Sequence, residues 1–146
     1  EETFFVVLPQ HHPLAKNGAL QLRDLINTPL ISMPVESGLR RFIDSAAAKA
    51  GIKLTHSVVT NQYSSLFSFI ANGLGISIVP SSVVPPTDEN VFVVRPLTPS
   101  INRRICVMYL SDRPLNVVCE AFLRTLRPLL INATGYNQKP FLHPNL

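Results

Sequence analysis

Three short stretches of mostly polar residues could bind a small molecule, because each follows directly after an apolar, strand-like run. They cover residues 33–37, 60–64 and 79–82 and are called the first, second and third junctions below. In a parallel α/β sheet, strand carboxyl ends and helix N-termini lie at one edge, where free backbone N–H groups and helix dipoles attract polar or anionic molecules. We therefore expect the junctions to converge on one binding edge.

Side chains that could catalyse a reaction or bind a metal do not form recognisable sets. His11, His12, His56 and His143 are adjacent or far apart, without the i, i+4 spacing of a helical metal site. No Gly-x-Ser-x-Gly pentapeptide marks a serine hydrolase. Most acids are interpreted as caps, loop residues or exposed helix positions, although Glu36 lies in a junction. We predict no enzyme activity, no catalytic residue, no metal and no cofactor.

Two glycines, Gly73 and Gly75, invite comparison with a dinucleotide-binding loop. That motif needs a third glycine where Ile78 stands, and it joins a strand to a following helix, whereas here the helix comes first. A pyrophosphate would therefore find no helix N-terminus. We predict instead that Gly73 ends a helix in a left-handed conformation and that Gly75 allows a tight entry into the next strand.

The composition indicates one globular domain. Of the 146 residues, 46% are hydrophobic and 15% charged. No apolar run approaches the roughly 20 residues that span a bilayer, and no signal peptide is recognisable, so a membrane partner is not expected. Because a strand-like run begins almost directly after Glu1, we expect the chain to be part of a longer protein.

The basic residues and the cysteines are dispersed. The net charge is +4, but Arg40 and Arg41 are interpreted as a solvated helix face and Arg103 and Arg104 as a strand edge, so this segment is not expected to bind nucleic acid directly. The two cysteines lack CxxC spacing. They are predicted to be free, buried thiols, which favours a reducing compartment, the cytoplasm.

Strand-like and helix-like segments alternate along the chain. Strands are predicted at residues 3–8, 30–33, 54–60, 76–79, 91–94 and 105–110, and helices at 22–26, 38–50, 62–72 and 113–126. Ser37, Asn61 and Asp112 are placed to cap the last three helices, while Gly51 and Pro128 are placed to end two of them. Short connections between alternating strands and helices need a largely parallel sheet covered by helices.

Five motifs in the same order carry a family resemblance. They are His-Pro-Leu-Ala at 12–15, Leu-Arg-Asp-Leu at 22–25, Pro-Leu-Ile at 29–31, Glu-Ser-Gly-Leu-Arg at 36–40 and Ile-Ala-Asn-Gly-Leu-Gly-Ile-Ser-Ile-Val-Pro at 70–80. The last is similar to Val-Ala-x-Gly-Leu-Gly-Ile-x-x-x-Pro. With these motifs, residues 4–126 resemble the effector-binding domain of LysR-type transcriptional regulators.

The resemblance implies a type 2 periplasmic-binding-protein-like α/β fold with a mostly parallel sheet flanked by helices. In this fold two antiparallel crossover strands join two lobes, and the effector binds between the lobes. Residues 1–110 would form the second lobe with crossovers at 4–8 and 105–110, residues 111–131 a helix returning to the first lobe, and 132–146 a loose tail. The DNA-binding domain, its linker helix and the start of the first lobe would be missing from this chain.

The resemblance also implies a site and partners. The junctions match places where family members contact effectors, which assigns ligand binding to Met33, Pro34, Glu36, Ser37, Thr60, Asn61, Pro80 and Ser81. The implied function is to sense a small, anionic organic effector and relay its binding to the missing DNA-binding domain. The implied protein is a cytoplasmic homo-oligomer that contacts DNA through that domain.

Two other functions stay open at this point. A solute-binding protein of a transport system would have the same architecture and would carry an export signal, so the sequence upstream of Glu1 distinguishes it. An enzyme on this fold is disfavoured because no acid–base pair, nucleophile or metal set is visible.

Overall fold

The computed structural model describes residues 1–84, 91–110 and 112–134. The chain divides into two compact units, which are described separately. One is Glu2–Arg103, the sheet unit, and the other contains Glu1 and the residues from Arg104 onward, the helical unit.

The described part of the sheet unit contains six strands, two α-helices and three short 3-10 turns. The strands are β1 (Glu2–Pro9), β2 (Leu30–Ser32), β3 (His56–Val59), β4 (Ser77–Pro80), β5 (Phe92–Pro96) and β6 (Asn102–Arg103). The helices are α1 (Gly38–Lys49) and α2 (Tyr63–Ala71), and the 3-10 turns are Pro13–Lys16, Leu22–Leu25 and Ser81–Val83. The helical unit contributes α3 (Val117–Thr134).

Strand pairing is parallel in one half of the sheet unit and antiparallel in the other. β2 pairs with β3 in parallel and is joined to β4 by a parallel bridge between Leu30 and Ile76. β1 pairs antiparallel with β4, β5 and β6. The α/β architecture is confirmed, and the expected parallel pairing is confined to β2, β3 and β4.

β1 separates two apolar clusters because its side chains alternate between the two faces of the sheet. Phe4, Val6 and Leu8 lie in one cluster with the buried side of α1, and Val7 lies in the other with the buried side of α2. The predicted helical periodicity is confirmed except at the end of α1, where Ala50 is exposed. The other residues predicted to face inward are buried or half-buried: Leu39, Phe42, Ile43, Ala46 and Ala47 in α1, and Tyr63, Leu66 and Ile70 in α2. Burying each large side chain stabilises the fold by about 1.5–3 kcal/mol.

The ends of the two helices follow the predicted glycines but not all of the predicted caps. Gly51 and Gly73 have φ of 71° and 75°, as expected for left-handed helix ends. Ser37 is the N-cap residue of α1, but its side chain makes no capping hydrogen bond. The N-cap of α2 is Gln62 instead of Asn61, because the chain is still extended at Gln62, whose N–H donates to Thr60 Oγ1 at 3.3 Å.

The strand predicted at 105–110 is wrong. β6 pairs with the first two residues of β1, Glu2 with Arg103 and Thr3 with Asn102, in antiparallel register. The described residues 104–110 form no strand.

The last helix also differs from its prediction. α3 begins after Asn116, whose Oδ1 accepts the N–H of Cys119 at 2.8 Å, so Asp112 is not the cap. Pro128 lies inside α3 instead of ending it. A proline removes one backbone hydrogen bond, and here the helix continues past it through Thr134. Both cysteines, Cys106 and Cys119, are free as predicted but exposed, so their predicted burial is wrong. Most of the predicted tail, from residue 135, lies outside the described residues.

Gly75→Ala is expected to destabilise the protein more than Gly73→Ala. A Cβ at residue 75 would lie 2.5 Å from the Pro29 carbonyl oxygen, whereas a Cβ at residue 73 would meet nothing within 4 Å. That carbonyl cannot easily move, because it accepts the N–H of Ile76 at 3.0 Å. Gly73→Ala should therefore lower the free energy of unfolding by only about 1–2 kcal/mol, the cost of placing a residue with a Cβ in the left-handed region.

Urea unfolding followed by circular dichroism measures both losses. Equal losses in the two variants would contradict the close approach of Gly75 to Pro29.

Candidate functional site

The three junctions lie at one edge of the sheet unit. The parallel strands β2, β3 and β4 all end there, and the N–H of Thr60, just after β3, donates to the Ser32 carbonyl at the end of β2 at 3.0 Å. Because β1 is antiparallel to β4, its beginning lies at the same edge, with Phe4 opposite Pro80. This edge is called the junction edge below.

Five of the eight candidate residues are at least half-buried at the junction edge. Met33 packs against the apolar cluster around α1, and Pro34 is half-buried beside it. Ser37 and Thr60 are half-buried at the beginnings of α1 and α2, and Pro80 is buried at the end of β4. Side chains of this kind can shape the wall of a site.

The other three candidate residues, Glu36, Asn61 and Ser81, are exposed. They belong to the first, second and third junctions respectively. Each junction therefore combines a sheltered residue with an exposed polar side chain, which is the composition of a small-molecule site at its rim.

A buried carboxylate that the sequence did not reveal also lies at the junction edge. Glu2 is 4% exposed. Its Oε2 accepts Arg103 Nε at 2.6 Å, and its Oε1 accepts the Ser82 hydroxyl and the Ser82 N–H, the latter at 3.4 Å. Burial raises the pKa of Glu2, but the hydrogen bonds from Ser82 and Arg103 and the charge of Arg103 outweigh it, so the pKa lies below its usual value.

Aromatic side chains lie on one side of this ion pair and near it. The Arg103 guanidinium carbon lies 5.5 Å from the centre of the Phe4 ring, which stacks on Phe42 at 5.3 Å. Burial raises the pKa of Tyr63, the first residue of α2; the charge of Arg103 opposes this shift and that of Glu2 adds to it. Glu2, Arg103 and Tyr63 therefore lie within electrostatic range of one another.

The sequence carried one signal for Glu2. Glu2 is an even number of residues away from Phe4, Val6 and Leu8 in β1. Because side chains in a strand alternate between its two faces, Glu2 lies on the same buried face as these three residues. Arg103 was predicted to lie at a strand edge, and it lies in β6, where its side chain also contacts Glu2 and Phe4. No local pattern could pair two residues that lie 101 positions apart.

A second polar chain links β2, β3 and α1. Ser32 Oγ lies 2.6 Å from His56 Nδ1, and His56 Nε2 lies 2.9 Å from Asp44 Oδ1. Asp44 also accepts Arg40 Nε at 2.7 Å, and Arg40 Nη1 is 3.5 Å from the Met33 carbonyl in the first junction. Arg40 therefore does not belong to a solvated helix face as predicted, because the i, i+4 pair draws it inward.

This Ser–His–Asp chain has the residue types of a hydrolase nucleophile, but its surroundings favour a structural role. The cavity beside Ser32, His56 and Arg40 has a volume of about 10 Å³ and is otherwise lined by Leu30, Ile31, Ile43 and Ile78. A space of that size holds about one water molecule, which leaves no room for an acyl substrate at the hydroxyl. Through Arg40 the chain supports the backbone of the first junction.

The described part of the chain shows neither a metal-binding cluster nor a membrane-spanning helix. Residues 1–84, 91–110 and 112–134 contain no group of three or more His, Cys, Asp or Glu side chains that could hold a metal ion. None of the helices described there is long and apolar enough to cross a membrane.

Comparison with known proteins identifies the family. The sequence profile described as LysR substrate binding domain matches residues 1–130. The chain belongs to this family. Its curated relatives include the HTH-type transcriptional regulator YfeR of Shigella flexneri, 29% identical over 86% of this chain and 41% of that protein. They also include the dual regulator GltC of Bacillus subtilis, 24% identical over 78% of this chain and 38% of that protein.

Solved structures of LysR regulatory domains share the fold. The CcmR regulatory domain of Synechocystis, in complex with 2-PG, has a TM-score of 0.72 at 17% identity and matches 88% of this chain and 62% of that one. The effector-binding domain of QuiR, in complex with shikimate, has a TM-score of 0.63 at 23% identity, over 84% of this chain and 59% of that one. This LysR-family chain spans about two fifths of the curated relatives it matches.

Acidification from about pH 7 to about pH 5 is expected to destabilise this LysR-family chain through His56. Burial and the charge of Arg40 lower the pKa of His56 below 6.5, against the opposing effect of Asp44. The unfolded chain therefore takes up a proton first, and stability present above about pH 6.5 is lost as the pH falls through the lowered pKa. His12, whose pKa burial also lowers, contributes in the same direction.

Urea unfolding at a series of pH values measures this slope. His56→Gln should flatten it, whereas His11→Gln, at an exposed histidine, should leave it as in the wild type. A slope that is the same in His56→Gln and wild type would show that the imidazole is not held neutral by the fold.

Proposed function

We propose that this chain is the effector-sensing part of a LysR-type transcriptional regulator and that it binds a small organic anion at the junction edge. The observation that carries the proposal is the convergence of three strand ends, two helix N-termini and the beginning of β1 at one edge. Membership in the LysR substrate binding domain family supports it. The ligand-binding residues are those named from the sequence: Met33, Pro34, Glu36, Ser37, Thr60, Asn61, Pro80 and Ser81.

Electrostatics at the edge favour a negatively charged ligand. The first N–H groups of α1 and α2 point out of their helix ends, and neither N-cap side chain, Ser37 or Gln62, makes a capping hydrogen bond. These donors are therefore left for a ligand. The related QuiR domain, solved in complex with shikimate, is consistent with an anion, since shikimate is a carboxylate.

The wider role follows from the relatives, which are named as transcriptional regulators. We propose that effector binding here is relayed to a DNA-binding domain encoded outside this chain. We also propose that the whole protein acts in the cytoplasm as a homo-oligomer, and that this segment does not itself bind DNA. The relatives favour this role over solute transport and over catalysis.

A thermal-shift screen tests binding directly. The anion panel consists of shikimate, 2-PG, benzoate, succinate and citrate. A panel member present at about 100 times its Kd should stabilise the folded protein by about 2.7 kcal/mol and raise the midpoint of unfolding by several degrees. If no panel member raises the midpoint, the proposal that the chain binds an organic anion is contradicted.

Two serine substitutions test the location of the site. Ser37→Ala and Ser81→Ala should each weaken binding of the best panel member by about 2- to 10-fold, the loss of one hydrogen bond. Ser45→Ala is the matched control, because Ser45 is exposed within α1 and away from the junctions. Isothermal titration calorimetry gives the three Kd values. Unchanged Kd values in both junction variants would show that the anion binds away from these two serines.

A further inference from the structure

The Arg103 guanidinium is held in a fixed position before any ligand arrives. Its Nε donates to Glu2 at 2.6 Å, and the guanidinium lies over the Phe4 ring, which is itself fixed by stacking on Phe42. A guanidinium ordered in this way loses little conformational freedom on binding a partner, which favours affinity. Arg103 is therefore preorganised.

The exposed member of the Glu2–Arg103 pair is the arginine. The Arg103 side chain is 30% exposed and that of Glu2 4% exposed, so a ligand approaching the pair meets N–H groups and not carboxylate oxygens. The described residues show one hydrogen bond from this guanidinium, from Nε, out of the five N–H groups that arginine carries. Donor capacity therefore remains on the accessible side of the pair.

Arg103 lies between the second and third junctions. Phe4, beneath its guanidinium, is opposite Pro80 in the β1–β4 register, and Ser82 donates to the same Glu2 side chain. Tyr63 in the second junction is close enough for Arg103 and Glu2 to act on its phenol electrostatically. A ligand that binds Arg103 at the junction edge would thus lie beside residues of both junctions.

We propose that Arg103 is the residue that selects an anionic effector, by binding a pair of oxygens of its carboxylate or phosphate group, with Glu2 holding the guanidinium in place. This inference rests on the proposed function and adds a specificity-determining residue to it. A guanidinium matches two anionic oxygens bidentately, which a single hydroxyl or amide of the junctions cannot do.

Arg103→Gln should weaken binding of the best anion-panel member by about 10- to 100-fold, the effect of losing a hydrogen bond from a charged group. Arg104→Gln is the matched control, since it removes the same charge at the adjacent exposed residue and should leave the Kd within about 2-fold of the wild type. Benzoate and benzamide have similar shapes, but only benzoate is charged, so comparing them separates the effect of charge from that of shape. The wild type should bind benzoate more tightly than benzamide, and Arg103→Gln should reduce this difference.

Glu2→Gln distinguishes ligand binding from a structural role of the pair. A structural role predicts that breaking the pair from either side weakens binding. Direct binding by Arg103 predicts opposite directions, since Glu2→Gln keeps the guanidinium and removes its neutralising charge, so the anion should bind about 3-fold tighter or more. Arg103→Gln alone leaves the Glu2 carboxylate buried without its partner and could therefore misfold. The double variant Glu2→Gln with Arg103→Gln has no such carboxylate, and it should bind the anion as weakly as Arg103→Gln.

Each outcome decides one of the two proposals. If no panel anion binds the wild type, the proposed function fails, and this inference with it. If panel anions bind the wild type and the double variant equally well, the proposed function stands and the role of Arg103 is overturned. Weaker binding in both Glu2→Gln and Arg103→Gln would show that the pair has only a structural role and would contradict direct binding by Arg103.

Discussion

β1 is the element on which the rest of the sheet unit depends, because one of its faces is buried throughout, Val7 is buried on the other, and it pairs with three other strands. Its register against β4 places Phe4 opposite Pro80 and so sets where the third junction lies relative to the beginning of β1. Its register against β6 places Glu2 opposite Arg103, at the two positions where the chain enters and leaves the unit. The register of β1 is therefore one constraint that determines both the fold and the position of the candidate site.

That constraint explains why a buried carboxylate is tolerated. An ionised side chain that loses water needs charged or hydrogen-bonding partners, and Glu2 receives them from β6 and from the turn after β4. The cost of burying the acid is offset by an arrangement that ties three distant segments together at the junction edge. The arginine that satisfies Glu2 is fixed beside the proposed site as a consequence.

Much of the fold could be predicted because it rests on local periodicity. The four-residue spacing of Leu39, Ile43 and Ala47 was enough to define the buried side of α1, and the positive φ of Gly51 and Gly73 followed from their places after apolar helices. The junctions could be predicted as well, because strands followed by helices leave little freedom in topology.

The rest depended on contacts between residues far apart in the sequence. Strand propensity at 105–110 was misleading, since a strand needs a pairing partner and residues 105–110 show no strand pairing. The Ser32, His56 and Asp44 chain and the Glu2–Arg103 pair join separate elements, so their residues carry no shared local pattern. The candidate side chains could thus be predicted to share one edge of the sheet, but the arginine and carboxylate that lie among them could not be predicted.

The central claim is that a small organic anion binds where the ends of β2, β3 and β4 meet the beginning of β1. The most direct measurement is a titration of the ¹⁵N-labelled chain with the most stabilising anion, followed by amide chemical shifts. We expect the largest shifts on residues 33–37, 60–63 and 80–82 and on Glu2 and Arg103. Shifts confined to the opposite edge of the sheet, near the 3-10 turns Pro13–Lys16 and Leu22–Leu25, would contradict it.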